Sequence, residues 1–337
     1  MQSLVNLAGT ALQNAVNASQ FDVRSSRGFY ESYFLRANHK SSPQAFWIRY
    51  TIFSPKGNLA GAEGQLWAVY FDARSSTRIA VKQSLPLDSC SFSKTGLLVR
   101  IGESSLDQGS LHGSARDGVN QVSWNLSYAG DESPAFLLPL PFYSRGFPKA
   151  KVLTGIPLAD FLGAIRVNDN AIEIDSWRGS QNHNWGTKHT DRYAWGQVAG
   201  FDSESEAFLE CSTAKLRIGP LWTPWLTSLV LRLPGREIRL NSLRQAIRNS
   251  GHYRRLEWHI DCIQGPMRVS VSFSAPSDRF VELDYNDPPG GSRICWNSKV
   301  ATCIVRVEEA GRPPVVLKSQ CRAAFEILAH PDDVLSQ

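Results

Sequence analysis

Short runs of alternating or β-branched residues, each closed by Gly, Pro, Ser, Asn or Asp, recur from residue 46 to residue 319, and this pattern favours antiparallel β structure above any other. In the first half the runs fall at 46–53, 65–71, 78–82, 96–101, 121–128, 151–153, 159–167 and 171–174. In the second half they include 207–211, 228–233, 254–262, 267–274, 280–284, 301–307 and 315–319. Ser54-Pro55-Lys56-Gly57 and Val167-Asn168-Asp169-Asn170 read as tight turns, because Gly, Asn and Asp tolerate the left-handed backbone such turns need. Helix is expected only at residues 4–18 and at 242–248, the latter with Ser242 as its cap. The segment 137–143 carries Pro139 and Pro141 and cannot be a central strand, so it reads as an extended loop or lid. The fold class is therefore all-β with two strand-rich halves. The pattern alone leaves two sandwiches and two closed barrels equally open.

The chain has 337 residues, 42% of them hydrophobic, which is ample for a core without staples. Cys90, Cys211, Cys262, Cys295, Cys303 and Cys321 form no C-x-x-C pair, as expected of buried free thiols in a reducing compartment. Residues 1–20 lack a basic leader and an unbroken apolar run, so neither signal peptide nor membrane span is expected. The expected location is cytoplasmic, with peripheral contact to an anionic membrane as a source of lipid-like ligand. The net charge of +5 comes from dispersed residues, clustered only at 244–255, and argues against a nucleic-acid partner.

Residues 177–202 concentrate the chemistry, holding three of the ten tryptophans and two of the seven histidines. On a strand, Gln181, His183 and Trp185 share one face and Asn182 and Asn184 the other; Asp191, Tyr193, Trp195 and Gln197 share a face further on. An interior combining His183, Trp185, Tyr193 and Trp195 suits an apolar, unsaturated or cyclic ligand, with aromatic faces able to stabilise a developing carbocation. His183, Asp191 or Asp202, buried against such rings, is the expected proton donor. Each also has a plain structural reading: hydrogen-bonded histidines at 183 and 189, core tryptophans at 185 and 195, turn aspartates at 191 and 202. Metal-ligand and phosphate-loop signatures are absent, so neither metal nor cofactor is expected. A second constellation places Phe29, Glu31, Tyr33 and Leu35 on one strand face and Trp47, Arg49 and Thr51 on another. Glu31 and Arg49 are expected to pair, since an isolated buried charge is costly.

G-F-Y-E-S-Y-F-L-R-A-N at 28–38, A-F-W-I-R-Y-T at 45–51, N-H-N-W-G at 182–186, A-W-G at 194–196, L-D-Y-N-D-P at 283–288 and C-W-N-S-K at 295–299 together resemble the carotenoid 1,2-hydratase, tocopherol-cyclase-like and AttH-type proteins. The resemblance implies two lipocalin-like barrels side by side, here 22–190 and 191–330. It also implies isoprenoid- or polyketide-like ligands and metal-free hydration, cyclisation or cycloaddition, although a shared fold does not choose among them. His183 and Trp185 are the first positions to carry across. Asn182, Asn184, His189, Tyr193, Trp195, Glu31, Tyr33 and Trp47 complete the expected pocket. Two rival readings stand: a carrier that leaves its ligand unchanged, and a motif that locks the barrels together.

Overall fold

The computed structural model describes residues 7–130, 133–254 and 256–328. Helix α1 (Gly9–Asn17) leads into an eleven-stranded antiparallel sheet. Its strands are β1 (Phe29–Asn38), β2 (Gln44–Ser54), β3 (Glu63–Asp72), β4 (Thr77–Pro86), β5 (Cys90–Phe92), β6 (Leu98–Ile101), β7 (Ser104–Asp107), β8 (Ser110–Arg116), β9 (Gln121–Ala129), β10 (Ala150–Val167) and β11 (Asn170–Gly186). Their order is β4-β3-β2-β1-β11-β10-β9-β8-β7-β6-β5. The two edge strands, β4 and β5, are joined by the single turn Leu87–Ser89, so the sheet curls into a nearly closed barrel.

The second sheet has ten strands. They are β12 (Arg192–Ala199), β13 (Phe208–Lys215), β16 (Leu226–Leu233), β17 (Arg236–Leu240), β18 (Ser250–Arg254), β19 (Glu257–Gln264), β20 (Met267–Ser274), β21 (Val281–Asn286), β22 (Ser292–Glu309) and β23 (Val315–Leu328), with β14 (Arg217–Ile218) and β15 (Leu221–Trp222) forming a separate hairpin. Its order is β17-β16-β13-β12-β23-β22-β20-β19-β18, with β21 on β22. Helix α2 (Leu243–Arg248) links the edges β17 and β18. Ser242 caps it as expected, in a capping box with Gln245.

Period-two alternation explains how the two sheets meet. On β2 and β3, Phe46, Ile48, Tyr50, Leu66, Ala68 and Tyr70 fill the first barrel. The residues between them, Ala45, Trp47, Trp67, Val69 and Phe71, join Phe34 of β1, Trp195 of β12, Tyr285 of β21 and Leu328 of β23 in a core between the barrels. Strands β1 to β3 are therefore apolar or buried on both faces, one face in each core.

Several expected elements merge or shift. The runs at 151–153 and 159–167 are one strand, β10, interrupted by register shifts between Thr154 and Ala159 that a pattern search reads as a break. Likewise 171–174 and 181–185 both belong to β11. The Asn168 turn holds, with Asn168 at φ +52°. Part of the expected N-terminal helix, residues 4–6, and residues 329–330 of the second expected unit lie outside the described residues. The cysteines are free, four buried and Cys90 and Cys321 half-buried. No helix among the described residues is long and apolar enough to cross a membrane.

Candidate functional site

A cavity of about 190 Å³ lies between the barrels. Trp47 of β2 and Phe34 of β1 form one wall, Tyr193 and Trp195 of β12 another, and Tyr285 of β21 and His189 of the interbarrel link a third. The proline-rich segment covers it with Leu137, Leu138, Pro139 and Phe142, the last within the single turn Leu140–Tyr143. Phe34 meets Trp195 edge-on at 6.0 Å, and His189 stacks on Tyr30 at 4.0 Å. Burial drives the His189 imidazole down to about 3, with Arg49 and Arg293 adding repulsion, so the ring is neutral at ordinary pH. Burial also pushes the Tyr193 and Tyr285 phenols well above the usual range, the nearby Cys295 and Glu326 adding to it.

Among the residues lining this space, Glu326 of β23 is the one carboxylate. Its Oε1 accepts from Asn297 Nδ2 at 2.8 Å and from Lys299 Nζ at 2.7 Å. Among the described residues, the Cys295 thiol donates to Oε2 at 4.0 Å. Burial lowers the Lys299 ammonium, against the pull of Glu326.

His183 lies elsewhere. The β1–β11 register sets Tyr33 opposite His183 and Glu31 opposite Trp185, on the face turned away from the cavity. His183 Nε2 is 2.9 Å from Glu31 Oε1, and Nδ1 is 2.7 Å from the Val16 carbonyl at the end of α1. The two ring nitrogens thus face a carboxylate and a backbone carbonyl. Glu31 also accepts from Ser19 Oγ and from the Gln20 and Phe21 amides, and the Tyr33 hydroxyl donates to Asn17 O. Burial would raise the Glu31 carboxyl, but the His183 bond and charge and these donors hold it below the usual range. Trp185 packs with Val16, Tyr143 and Leu153. Glu31, Tyr33, His183 and Trp185 thus fasten the segment after α1 across the first barrel.

The expected grouping of His183 and Trp185 with Tyr193 and Trp195 in one interior is therefore corrected: a sheet separates the two pairs. The expected Glu31–Arg49 pair is corrected as well. Arg49 sits opposite Phe34 in register and donates to Ser32 Oγ at 2.7 Å. Of the other expected residues, Trp47, Asn184, His189, Tyr193 and Trp195 line the cavity, whereas Asn182, Asp191 and Asp202 do not. Asn182 belongs to a buried polar seam, accepting at Oδ1 from Gln197 Nε2; Ser180 Oγ and Arg36 Nε donate to Gln197 Oε1. This even-numbered face of β11 ties the barrels together. Asp191 is bonded to Lys188 and to the Arg217 amide, and Asp202 to Arg322 and the Gln320 amide.

Sequence reasoning missed Glu210 of β13, buried in the seam behind Trp195, which donates Nε1–H to it at 3.1 Å; Thr154 donates at the same distance. Burial raises its carboxyl to about 7, with Trp195 and Thr154 opposing. Glu326 was missed too, although Tyr285, Asn297 and Lys299 around it lie in the two C-terminal motifs noted above. Among the described residues, no three His, Cys, Asp or Glu side chains gather as a metal site.

No family model matches the chain. Two curated relatives, uncharacterized proteins of Mycobacterium tuberculosis strains H37Rv and CDC 1551, are each 28% identical over 204 residues, 58% of this chain and 57% of their own. The chain thus matches little more than half the length of these relatives. An AttH candidate from Nitrosomonas europaea superposes with a TM-score of 0.55 at 12% identity, covering 88% of this chain and 91% of its own. The chain has the AttH-like fold. Kievitone hydratase from Nectria haematococca shares this AttH-like fold, with a TM-score of 0.55 at 12% identity over 94% of this chain and 96% of its own. CghA, solved with Sch210972, does so at 0.53 and 11% identity, over 90% of each chain.

Proposed function

We propose that this AttH-like chain is an enzyme of the hydratase or cyclase type, acting on a hydrophobic, isoprenoid- or polyketide-like molecule held between its barrels. The observation that carries the reading is a single carboxylate, Glu326, set into a mainly apolar cavity whose polar lining includes Arg49, Lys151, Asn184 and His189. With Oε1 engaged by Lys299 and Asn297, Oε2, met by the Cys295 thiol at 4.0 Å, is the oxygen that takes a proton from water or substrate. Tyr193 lines the same space as a neutral phenol able to donate one. Trp47 and Trp195 offer ring faces to positive charge developing on a polyene. Proton transfer within an enforced substrate shape needs neither metal nor cofactor. The existence of a hydratase on the same fold supports the assignment. In this reading His183, Asp191 and Asp202 hold the chain in place and do not touch substrate.

The test is mass spectrometry of organic extracts from the purified wild type and from Glu326→Gln, an isosteric change whose fold is checked by circular dichroism. Distinct molecules, unreacted in the variant and altered in the wild type, are the expected result. The same molecule in both supports the carrier reading instead.

A further inference from the structure

Three residues that line the cavity each carry a buried polar atom without a partner among the described residues: Arg49 Nε, Trp47 Nε1 and Asn184 Oδ1. Arg49 is only 5% exposed, and among the described residues no carboxylate lies within ion-pair distance of it. Its guanidinium rests 4.8 Å from the centre of the Tyr285 ring and 5.9 Å from that of Trp47 and bonds the Ser32 hydroxyl, contacts that supply no anion. The nearby acids are committed elsewhere. Glu326 is matched by Lys299 at 2.7 Å, and Asp287 faces Arg293 at 3.4 Å. His189, beside them, is neutral. A buried cation without an anion is expensive, and a folded chain keeps one where a ligand completes it.

Resting on the reading above that the cavity takes a hydrophobic small molecule, we propose that this molecule carries an acidic oxygen group, a carboxylate or enolate, seated on Arg49 and Trp47. The anion accepts from Arg49 Nε and Trp47 Nε1, and Asn184 Oδ1 accepts an N–H or O–H of the ligand. The apolar remainder lies along Phe34 and Trp195. The substrate class is thus an amphipathic acid, bound head-first against β2.

Geranic acid and its methyl ester differ in charge and little else, and both can be titrated by calorimetry into the full chain, its Arg49→Met variant and its Trp47→Phe variant. The acid should bind the wild type roughly tenfold to a hundredfold more tightly than the ester, the range expected of a charge-assisted bond. Arg49→Met should abolish that preference while ester affinity stays within about threefold. Trp47→Phe, which removes one donor and keeps the ring, should reduce the preference several-fold and carries the test if Arg49→Met does not fold. Equal affinity of acid and ester for the wild type, or a preference that survives both substitutions, overturns the proposal and leaves the hydrophobic-ligand reading standing. Failure of both compounds to bind the wild type overturns the two together.

Discussion

Two regions of this molecule hold a histidine, a glutamate and stacked aromatic rings, and they are built to opposite ends. Around His183 each ring nitrogen has an acceptor, and Glu31 is bonded by His183, Ser19 and two backbone amides. Around His189 there is open volume, with unpartnered polar atoms on Trp47, Arg49 and Asn184. Residue type does not separate a structural cluster from a reactive one, but hydrogen-bond satisfaction does. A saturated buried network fixes a chain segment, whereas unpaired polar atoms beside open volume leave a place for a ligand.

The sharpest way to break this contrast is His183→Ala. It strips Glu31 and the Val16 carbonyl of their imidazole partner, in a site with no exposed side chain. The expected loss is about 3 to 5 kcal/mol in urea denaturation. A variant as stable as wild type would show that the cluster is not the fastening described here.

Two of the buried glutamates, Glu31 and Glu210, sharpen it further through pH. Glu31 lies below the ordinary carboxylate range, so its stabilisation is present at neutral pH and is lost as pH falls through that lowered value. Glu210 has the opposite sign. Raised from 4.5 to about 7, it binds a proton more tightly folded than unfolded, so stability falls as pH rises across that window and levels off above it. Glu210→Gln should remove this slope and gain on the order of 3 kcal/mol at pH 8 relative to its effect at pH 4. Urea titrations of wild type and Glu210→Gln at both pH values measure it, and parallel pH profiles would rule out the raised acid.

How much of this was legible in the sequence depends on which neighbour decides a residue's fate. Alternation correctly set Gln181, His183 and Trp185 on one face and Asn182 and Asn184 on the other, because a strand's period is local. Which face meets a cavity is not local. The β11 face bearing His183 is capped by α1, and the β12 face bearing Trp195 looks outward from its own barrel, so four residues that read as one pocket are divided. The two-barrel architecture came through the motif resemblance, since strand patterns do not distinguish barrel from sandwich. Arg49 carried a usable signal, a charge on the apolar face of a strand that is buried on both sides. The signal was assigned to the wrong partner, because Glu31 and Arg49 are near in sequence texture but lie on opposite faces of the sheet. Glu210 and Glu326 carried none, as each is one acid among ordinary strand residues until the second barrel buries it.

The smallest expected effect addresses the unsatisfied side directly. In a saturated cluster, removing a charged group destabilises, because its partner is left behind. At Arg49 no anion is left behind. Methionine keeps most of the side chain's length against Tyr285 and removes a buried charge, surrendering one bond to Ser32, whose hydroxyl retains Thr51 at 2.9 Å. Arg49→Met is therefore expected to raise the stability of the ligand-free protein by about 1 kcal/mol, read as a higher urea midpoint with unchanged slope. The same variant loses acid binding, so stability and ligand preference move in opposite directions at one residue. A drop of comparable size in the urea midpoint would place Arg49 with His183, among the residues whose bonds hold the fold.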